Sequence, residues 1–279
     1  MINRNSNLTD KYLSNFKSLD LSILVRPNIG RDFGAYQAGF KFLQRNEILS
    51  STRQLIFAND SVLYGPKSAE FIRRFINFES NWKSFYVNFQ YHTHAQSFFM
   101  NFSDVIFKCD SFVDFWLKYY PTSLRHRVIN DGEVQLTQTL LKNGHTPDSF
   151  ISSNLKTWSK DIKTMNYDEL FSLWNGFYFK ESADLKQFAR LNELQFHRTL
   201  MEANPTHHLG LFVSRSTGAP LKLDLLRTGL VTFSGLEITM KSLGLQEEEI
   251  ADLIKLYVRG GSYVSSRGFI KLWRDYGYV

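Results

Sequence analysis

Three short segments near the start of the chain constrain its fold more than anything else in it. Leu21-Ser22-Ile23-Leu24-Val25-Arg26 is a short apolar run with β-branched members, and it predicts a buried strand. Pro27 ends that run, because proline cannot donate to a ladder, and Asn28-Ile29-Gly30 is turn chemistry. Phe33, Tyr36, Phe40 and Leu43 then recur at spacings of three and four, which predicts one face of a helix from Asp32 to Arg45. Gln54-Leu55-Ile56-Phe57-Ala58 reads as the next strand and stops at the polar trio Asn59-Asp60-Ser61. Strand, helix and strand at this spacing predict a βαβ unit, hence an α/β fold with parallel strands. Ligands of open α/β sheets lie off the carboxyl ends of the strands, where Arg26–Arg31 and Asn59–Ser61 fall.

The pattern continues beyond residue 60. Pro66 opens a helix with Phe71, Ile72, Phe75 and Ile76 on one face. Phe85–Phe89 and Ser97–Met100 read as strands, and Phe112, Phe115, Trp116 and Tyr119 as a helix. Glu133 to Asn143 reads as a further helix stopped by Gly144. Beyond about residue 155 the character becomes helical. Leu185, Phe188, Leu191 and Leu194 mark a long helix ended by Asn204-Pro205, and residues 246–258 mark another, with acids at its start. The expected organisation is an α/β domain over residues 1–154 and a mainly helical region over residues 155–279.

Composition sets the outer limits. A chain of 279 residues that is 43% hydrophobic and 22% charged, with 25 Phe and 13 Tyr, has ample material for a core, so wholesale disorder is excluded. No apolar run reaches the roughly 18 residues of a membrane-spanning helix, and Met1–Asn5 opens no apolar signal segment. The single cysteine, Cys109, forms neither an internal disulfide nor a thiolate zinc site, which favours a reducing, cytoplasmic address. A net charge of +6 suits an anionic partner such as a nucleotide or an anionic lipid surface. No basic stripe interleaved with aromatics occurs, so nucleic acid is not an expected partner.

Three constellations carry candidate chemistry, and each has a plain structural alternative. Arg26-Pro27-Asn28-Ile29-Gly30-Arg31-Asp32 puts a glycine turn and two arginines ahead of a helix, which suits a diphosphate. The alternative is an ordinary loop with Asp32 as helix cap. In Asn59-Asp60-Ser61, Asp60 is a candidate metal ligand, or the trio is a capping turn. In Asn130-Asp131-Gly132-Glu133 a carboxylate is a candidate general base, or the acids only stabilise a helix start. The remaining signals are thinner. His92 and His94 share a strand face but lack a third metal ligand, and no serine-hydrolase or zinc-protease motif occurs.

Taken in order, these segments resemble the rhamnan synthesis protein F family, glycosyltransferase-like proteins of bacterial cell-wall rhamnose polysaccharide and O-antigen synthesis. The resemblance rests on Arg26–Tyr36, on Asn59-Asp60-Ser61-Val62-Leu63-Tyr64-Gly65-Pro66, on His94-Ala95-Gln96-Ser97-Phe98-Phe99, on Phe115-Trp116 and on Val128-Ile129-Asn130-Asp131-Gly132-Glu133. Asn204-Pro205-Thr206-His207-His208 and Gly218-Ala219-Pro220-Leu221-Lys222 resemble later family segments, so the likeness runs over roughly residues 20–230.

The resemblance implies an A-type glycosyltransferase-like, Rossmann-like sheet, entered after its first nucleotide-binding strand or two. It implies a nucleotide-sugar donor, such as dTDP-rhamnose, and a glycan or lipid-linked glycan acceptor, handled in the cytoplasm or peripherally at the inner membrane face. Arg26, Asn28, Gly30, Arg31, Asp32, Asn59, Asp60 and Ser61 would hold the donor, with Asp60 the candidate ligand for Mg2+ or Mn2+. Asn59-Asp60-Ser61 stands where related inverting enzymes carry Asp-x-Asp, with both outer aspartates absent. Glu133 would be the catalytic base and Asp131 the second candidate, since Gly132-Glu133, Leu136 and Gly144 keep the spacing of the related enzymes. A non-catalytic partner in polysaccharide assembly and, more remotely, a sugar-phosphate transferase are the competing functions.

Overall fold

Phe33, Tyr36 and Phe40 are all buried, so the helix that the sequence predicts does form around its aromatic stripe. The computed structural model describes residues 22–77, 79–89, 92–151, 204–228 and 231–260, with residues 160, 164, 165, 172 and 173. Its elements begin with α1 (Arg31–Arg45), α2 (Ile48–Ser51), β1 (Gln54–Ala58), β2 (Val62–Leu63), α3 (Ser68–Asn77), β3 (Trp82–Ser84), β4 (Val87–Asn88), β5 (His94–Ala95) and β6 (Phe99–Ser103). Next come α4 (Asp104–Phe107), α5 (Asp110–Lys118), α6 (Arg125–Arg127), a π-helix (Val128–Val134), α7 (Gln135–Lys142) and β7 (Asp148–Ser149). The last are α8 (Pro205–Thr217), β8 (Leu221–Lys222), α9 (Asp224–Thr228), α10 (Phe233–Ser242) and α11 (Glu247–Gly260).

The architecture is mixed α/β. One four-stranded sheet has the order β1-β6-β3-β7, and two short ribbons pair β2 with β8 and β4 with β5, both antiparallel. β3 and β7 run parallel, with Lys83 opposite Asp148. The predicted strand at Leu21–Arg26 does not form: residues 22–29 have no regular secondary structure, and the neighbour of β1 is β6. Ile23 and Val25 are exposed, so the apolar run has no sheet face to cover it, and the expected βαβ unit is absent there. Phe85 likewise falls between β3 and β4 rather than inside one strand. The Ser84 hydroxyl donates to the carbonyls of Tyr86 and Gln96 at 2.9 Å each, and local side-chain bonds of this kind compete with a ladder.

The chain divides into two compact units that do not follow chain order. The first comprises Met1–Leu55, Phe102–His145 and Ser266–Val279, and the second Ile56–Asn101 and Thr146–Ser265. The core of the first is an aromatic cluster. Phe33 stacks on Trp116 at 5.5 Å, and Phe40 and Phe102 both meet Phe112 edge-on. Gln37 secures the end of α5 by donating its amide to the carbonyls of Trp116 (2.8 Å) and Tyr119 (2.6 Å).

The second unit packs Phe71, Phe75, Phe85, Phe99 and Phe150 with the apolar residues of α8 and α10. Asn204, predicted to end a helix, starts α8: its side chain accepts from the Thr206 N–H at 3.1 Å, and Pro205 occupies the first turn. The predicted helix over residues 185–202 lies outside the described residues, whereas α11 forms close to its predicted limits, with Ile250 buried.

Lys83 is buried in this second core at 1% exposure. Its ammonium donates to the Ile76 carbonyl at 2.9 Å and lies 5.7 Å from the centre of the Phe75 ring. Burial pulls its pKa from 10.5 down to about 8, against the opposing pull of Asp148. A folded pKa below the unfolded one means that stability rises with pH between those two values, because the unfolded chain holds the proton longer. Buried Tyr86 and Tyr119 have raised pKa values, so the stability they lend fades only above about pH 10. Urea unfolding should therefore show stability rising from pH 8 to pH 10, and Lys83→Met should flatten that rise while stabilising the protein at pH 7.

Candidate functional site

One arginine side chain organises the loop that leads into α1. Arg26 Nη1 donates to the carbonyls of Pro27 (2.9 Å) and Ile29 (2.7 Å), and Nη2 donates to that of Arg31 (3.0 Å). Three bonds from one charged fork hold the turn closed. Gly30, not Asp32, is the helix N-cap, with φ of 82°, and Asp32 sits in the first turn, where its charge suits the helix dipole. A side chain at Gly30 would meet Pro121, and one at Gly34 would fall 2.1 Å from the Ile29 carbonyl oxygen. Arg31 also has a positive φ, 47°, which costs a residue with a side chain roughly 1–2 kcal/mol. Its Nε donates to the Ser123 carbonyl at 3.1 Å. Asn28 lies exposed in the same loop.

The Asn130-Asp131-Gly132-Glu133 segment is a π-helical turn rather than the start of an α-helix. A π turn inserts an extra residue per turn and re-aims the side chains that follow; such turns recur at functional sites. Gly132 is buried, and a Cβ there would lie 2.8–3.0 Å from the Phe33 ring. The bare glycine face therefore receives the ring of the Arg-Asp-Phe-Gly motif, and two segments about 100 residues apart meet. Asp131 is exposed and Glu133 half-buried.

Tyr119 marks where the two motifs converge. It is 7% exposed, and its hydroxyl has no hydrogen-bond partner among the described residues. Burial, then the charge of Asp131, then that of Asp32, push its pKa up to about 12. Asp131 and Asp32, one from each motif, thus both add to the upward shift that burial causes. In the sequence Tyr119 reads as one more aromatic on a helix face, and nothing in its spacing marks it otherwise.

The Asn59-Asp60-Ser61 trio belongs to the second unit and forms a turn held by its own side chains. Asn59 Oδ1 accepts from the Ser61 N–H (3.1 Å) and the Ser61 hydroxyl (2.6 Å), while Asp60 is exposed. The turn is anchored where the Leu223 N–H donates to the Ser61 carbonyl at 2.9 Å, beside the β2–β8 ribbon. Among the described residues no three His, Cys, Asp or Glu side chains gather as a metal site. His94 Nδ1 instead pairs with the His92 carbonyl at 2.7 Å.

Two further motif segments lock together in the same unit. The Gln96 amide nitrogen donates to Asn204 Oδ1 at 3.0 Å, and the buried Thr206 hydroxyl donates to Gln96 Oε1. Satisfied networks of this kind fix a unique packing, so these motif residues hold the fold together.

The Gly132–Phe33 contact is directly testable. Gly132→Ala should cost about 1–3 kcal/mol by urea unfolding, because the added methyl must displace a packed ring. In combination with Phe33→Leu the cost of Gly132→Ala should shrink, so a double-mutant cycle will show coupling.

Comparison with known proteins agrees with the resemblance. The rhamnan synthesis protein F family matches residues 1–172, which include the Arg26–Tyr36 loop, the Asn59–Ser61 turn and the π-helical turn. An uncharacterized protein of Sinorhizobium fredii (strain NBRC 101917 / NGR234), y4gN, is 30% identical over 121 residues, covering 42% of this chain and 31% of that protein. The chain thus matches less than a third of that relative's length. No solved structure matches the chain. With the family matched over more than half of its residues, the chain belongs to the rhamnan synthesis protein F family.

Proposed function

We propose that this protein is a sugar transferase of rhamnan synthesis, with an A-type glycosyltransferase-like fold. Family membership ties the chain to rhamnan and polysaccharide synthesis. The observation that supports the catalytic reading is the packing of Gly132 against the Phe33 ring, which sets the π turn that bears Asp131 and Glu133 against the first turn of α1, next to Arg31 and Asp32 in sequence. The donor is a nucleotide-sugar such as dTDP-rhamnose, and the acceptor a glycan or lipid-linked glycan met at the cytoplasmic face of the membrane. Among the described residues no helix is long and apolar enough to cross a membrane.

In this reading Glu133 takes the proton of an acceptor hydroxyl, with Asp131 as the second candidate. The freed oxygen forms a bond to the anomeric carbon as the bond from that carbon to the diphosphate oxygen breaks. The nucleoside diphosphate leaves with the electron pair. Arg31 is its main counter-charge, because Arg26 already spends both terminal nitrogens on loop carbonyls and so acts by holding the turn. Asn28, Gly30 and the α1 amides border the same loop. Asn59, Asp60 and Ser61 belong to the second unit and are polar candidates by resemblance alone. Asp60 is the only carboxylate of its turn and the Asn59 oxygen is already engaged, so this trio does not by itself fit Mg2+ or Mn2+, and no step is routed through a metal.

The engagement of Arg26 favours one second reading, a non-catalytic partner in polysaccharide assembly. A transfer assay with dTDP-rhamnose and a rhamnan acceptor separates the two. The transferase reading predicts turnover that Glu133→Gln lowers by about 10²–10⁴-fold with little change in donor binding. Unaltered turnover in that variant removes Glu133 as the base, and absence of both turnover and donor binding supports the non-catalytic reading. Arg31→Gly should leave stability within about 1 kcal/mol, since relief of the positive φ offsets the lost Ser123 bond. The same variant should weaken binding of the nucleoside diphosphate in calorimetry.

A further inference from the structure

A second polar site lies in the second unit, and none of the residues discussed above as donor or catalytic groups lines it. It is an open cleft of about 940 Å³ between the start of α3, the end of α8 and the last turn of α10. Lys67, Arg73, Arg215 and Lys241 line it, against a single lining carboxylate, Glu70, which pairs with Arg73. The hydroxyls of Ser216, Thr217 and Ser242 share the wall, and no aromatic ring does. The Ser216 hydroxyl oxygen is out of contact with solvent and has no hydrogen-bond partner among the described residues.

The walls are held by backbone bonds, so the cations are presented on a fixed frame. The Lys67 N–H donates to the Leu243 carbonyl at 3.0 Å, and Arg74 Nη2 donates to the Thr217 carbonyl at 3.0 Å. Gly218, at φ of 78°, brings the end of α8 so close to Lys67 that a Cβ would lie 3.0 Å from the Lys67 carbonyl oxygen. Lys241 is steadied from outside the cleft by Glu237 (2.8 Å) and Glu247 (3.3 Å). Glu70 offsets part of this charge at Arg73, and Glu237 and Glu247 offset part of it at Lys241, but the cations still outnumber the carboxylates, so the cleft favours an anion. Guanidinium forks and ammonium groups together match phosphate oxygens, whereas a neutral sugar calls for an aromatic platform that the cleft lacks.

We propose that this cleft binds a phosphate ester or diphosphate, separately from the donor site. Two sources share that chemistry, a soluble sugar phosphate and a phospholipid or lipid-diphosphate headgroup. The site takes the anion through Lys67 and Arg215, with Arg73 and Lys241 as flanking charge.

Calorimetric titration of the full chain with inorganic pyrophosphate at low ionic strength tests the proposal. A saturable site is expected to persist in Arg31→Gly, in which the proposed donor site is weakened, and to be weakened about tenfold or more when Lys67→Ala or Arg215→Ala is added, but retained with Lys67→Arg. Thermal melting of each variant checks that the fold persists, and exposed Lys67 gives the cleaner variant. Competition by a sugar 1-phosphate, or by phosphatidylglycerol vesicles but not phosphatidylcholine vesicles, then assigns the source. No saturable binding up to about 10 mM, or the same affinity in well-folded Lys67→Ala and Arg215→Ala, overturns the proposal.

Discussion

The first unit depends on the bare face of Gly132 against the ring of Phe33. Phe33 stacks on Trp116 and meets Tyr36, Phe115 and Tyr119, so its position is fixed from several sides. Only a residue without a side chain fits on the remaining side. That contact packs the π turn against the first turn of α1. The aromatic cluster is thus the rigid support on which the polar groups are placed.

The segments on which the resemblance rests divide into two kinds. Arg26, Gly30, Gly34, Phe33 and Gly132 are explained by the folded structure alone: a closed turn, a left-handed cap and two close approaches. Gln96, Asn204 and Thr206 likewise hold one another. Asp32, Arg31, Asp131 and Glu133 are not needed for those tasks. Arg31 is held at a positive φ, a local cost of the kind that functional sites tolerate.

How much of this was legible in the sequence depended on the burial of each segment. α1, α3, α5 and β1 were readable because one face is apolar and the other polar, so period and spacing are visible. α8 was not, because Leu209 to Ser214 are buried in succession and leave no polar face to reveal a helical period. The Leu21–Arg26 run misled for the opposite reason: its β-branched residues looked buried, yet Ile23 and Val25 face solvent. The π turn carries no local signature, since the extra residue is accommodated by the Phe33 ring about 100 positions away. The compact units were hidden because each is assembled from separated stretches of chain. Asp131 and Glu133 were singled out by residue type and order alone, which do not depend on the element that carries them.

The central claim is that the Arg26–Asp32 loop and the π turn form one nucleotide-sugar site. Hydrogen exchange of the full chain with and without thymidine diphosphate addresses it most directly. The expected result is protection of the amides of residues 28–34 and 128–134. Saturating nucleotide that protects none of these amides, or protects only a different surface, would contradict it.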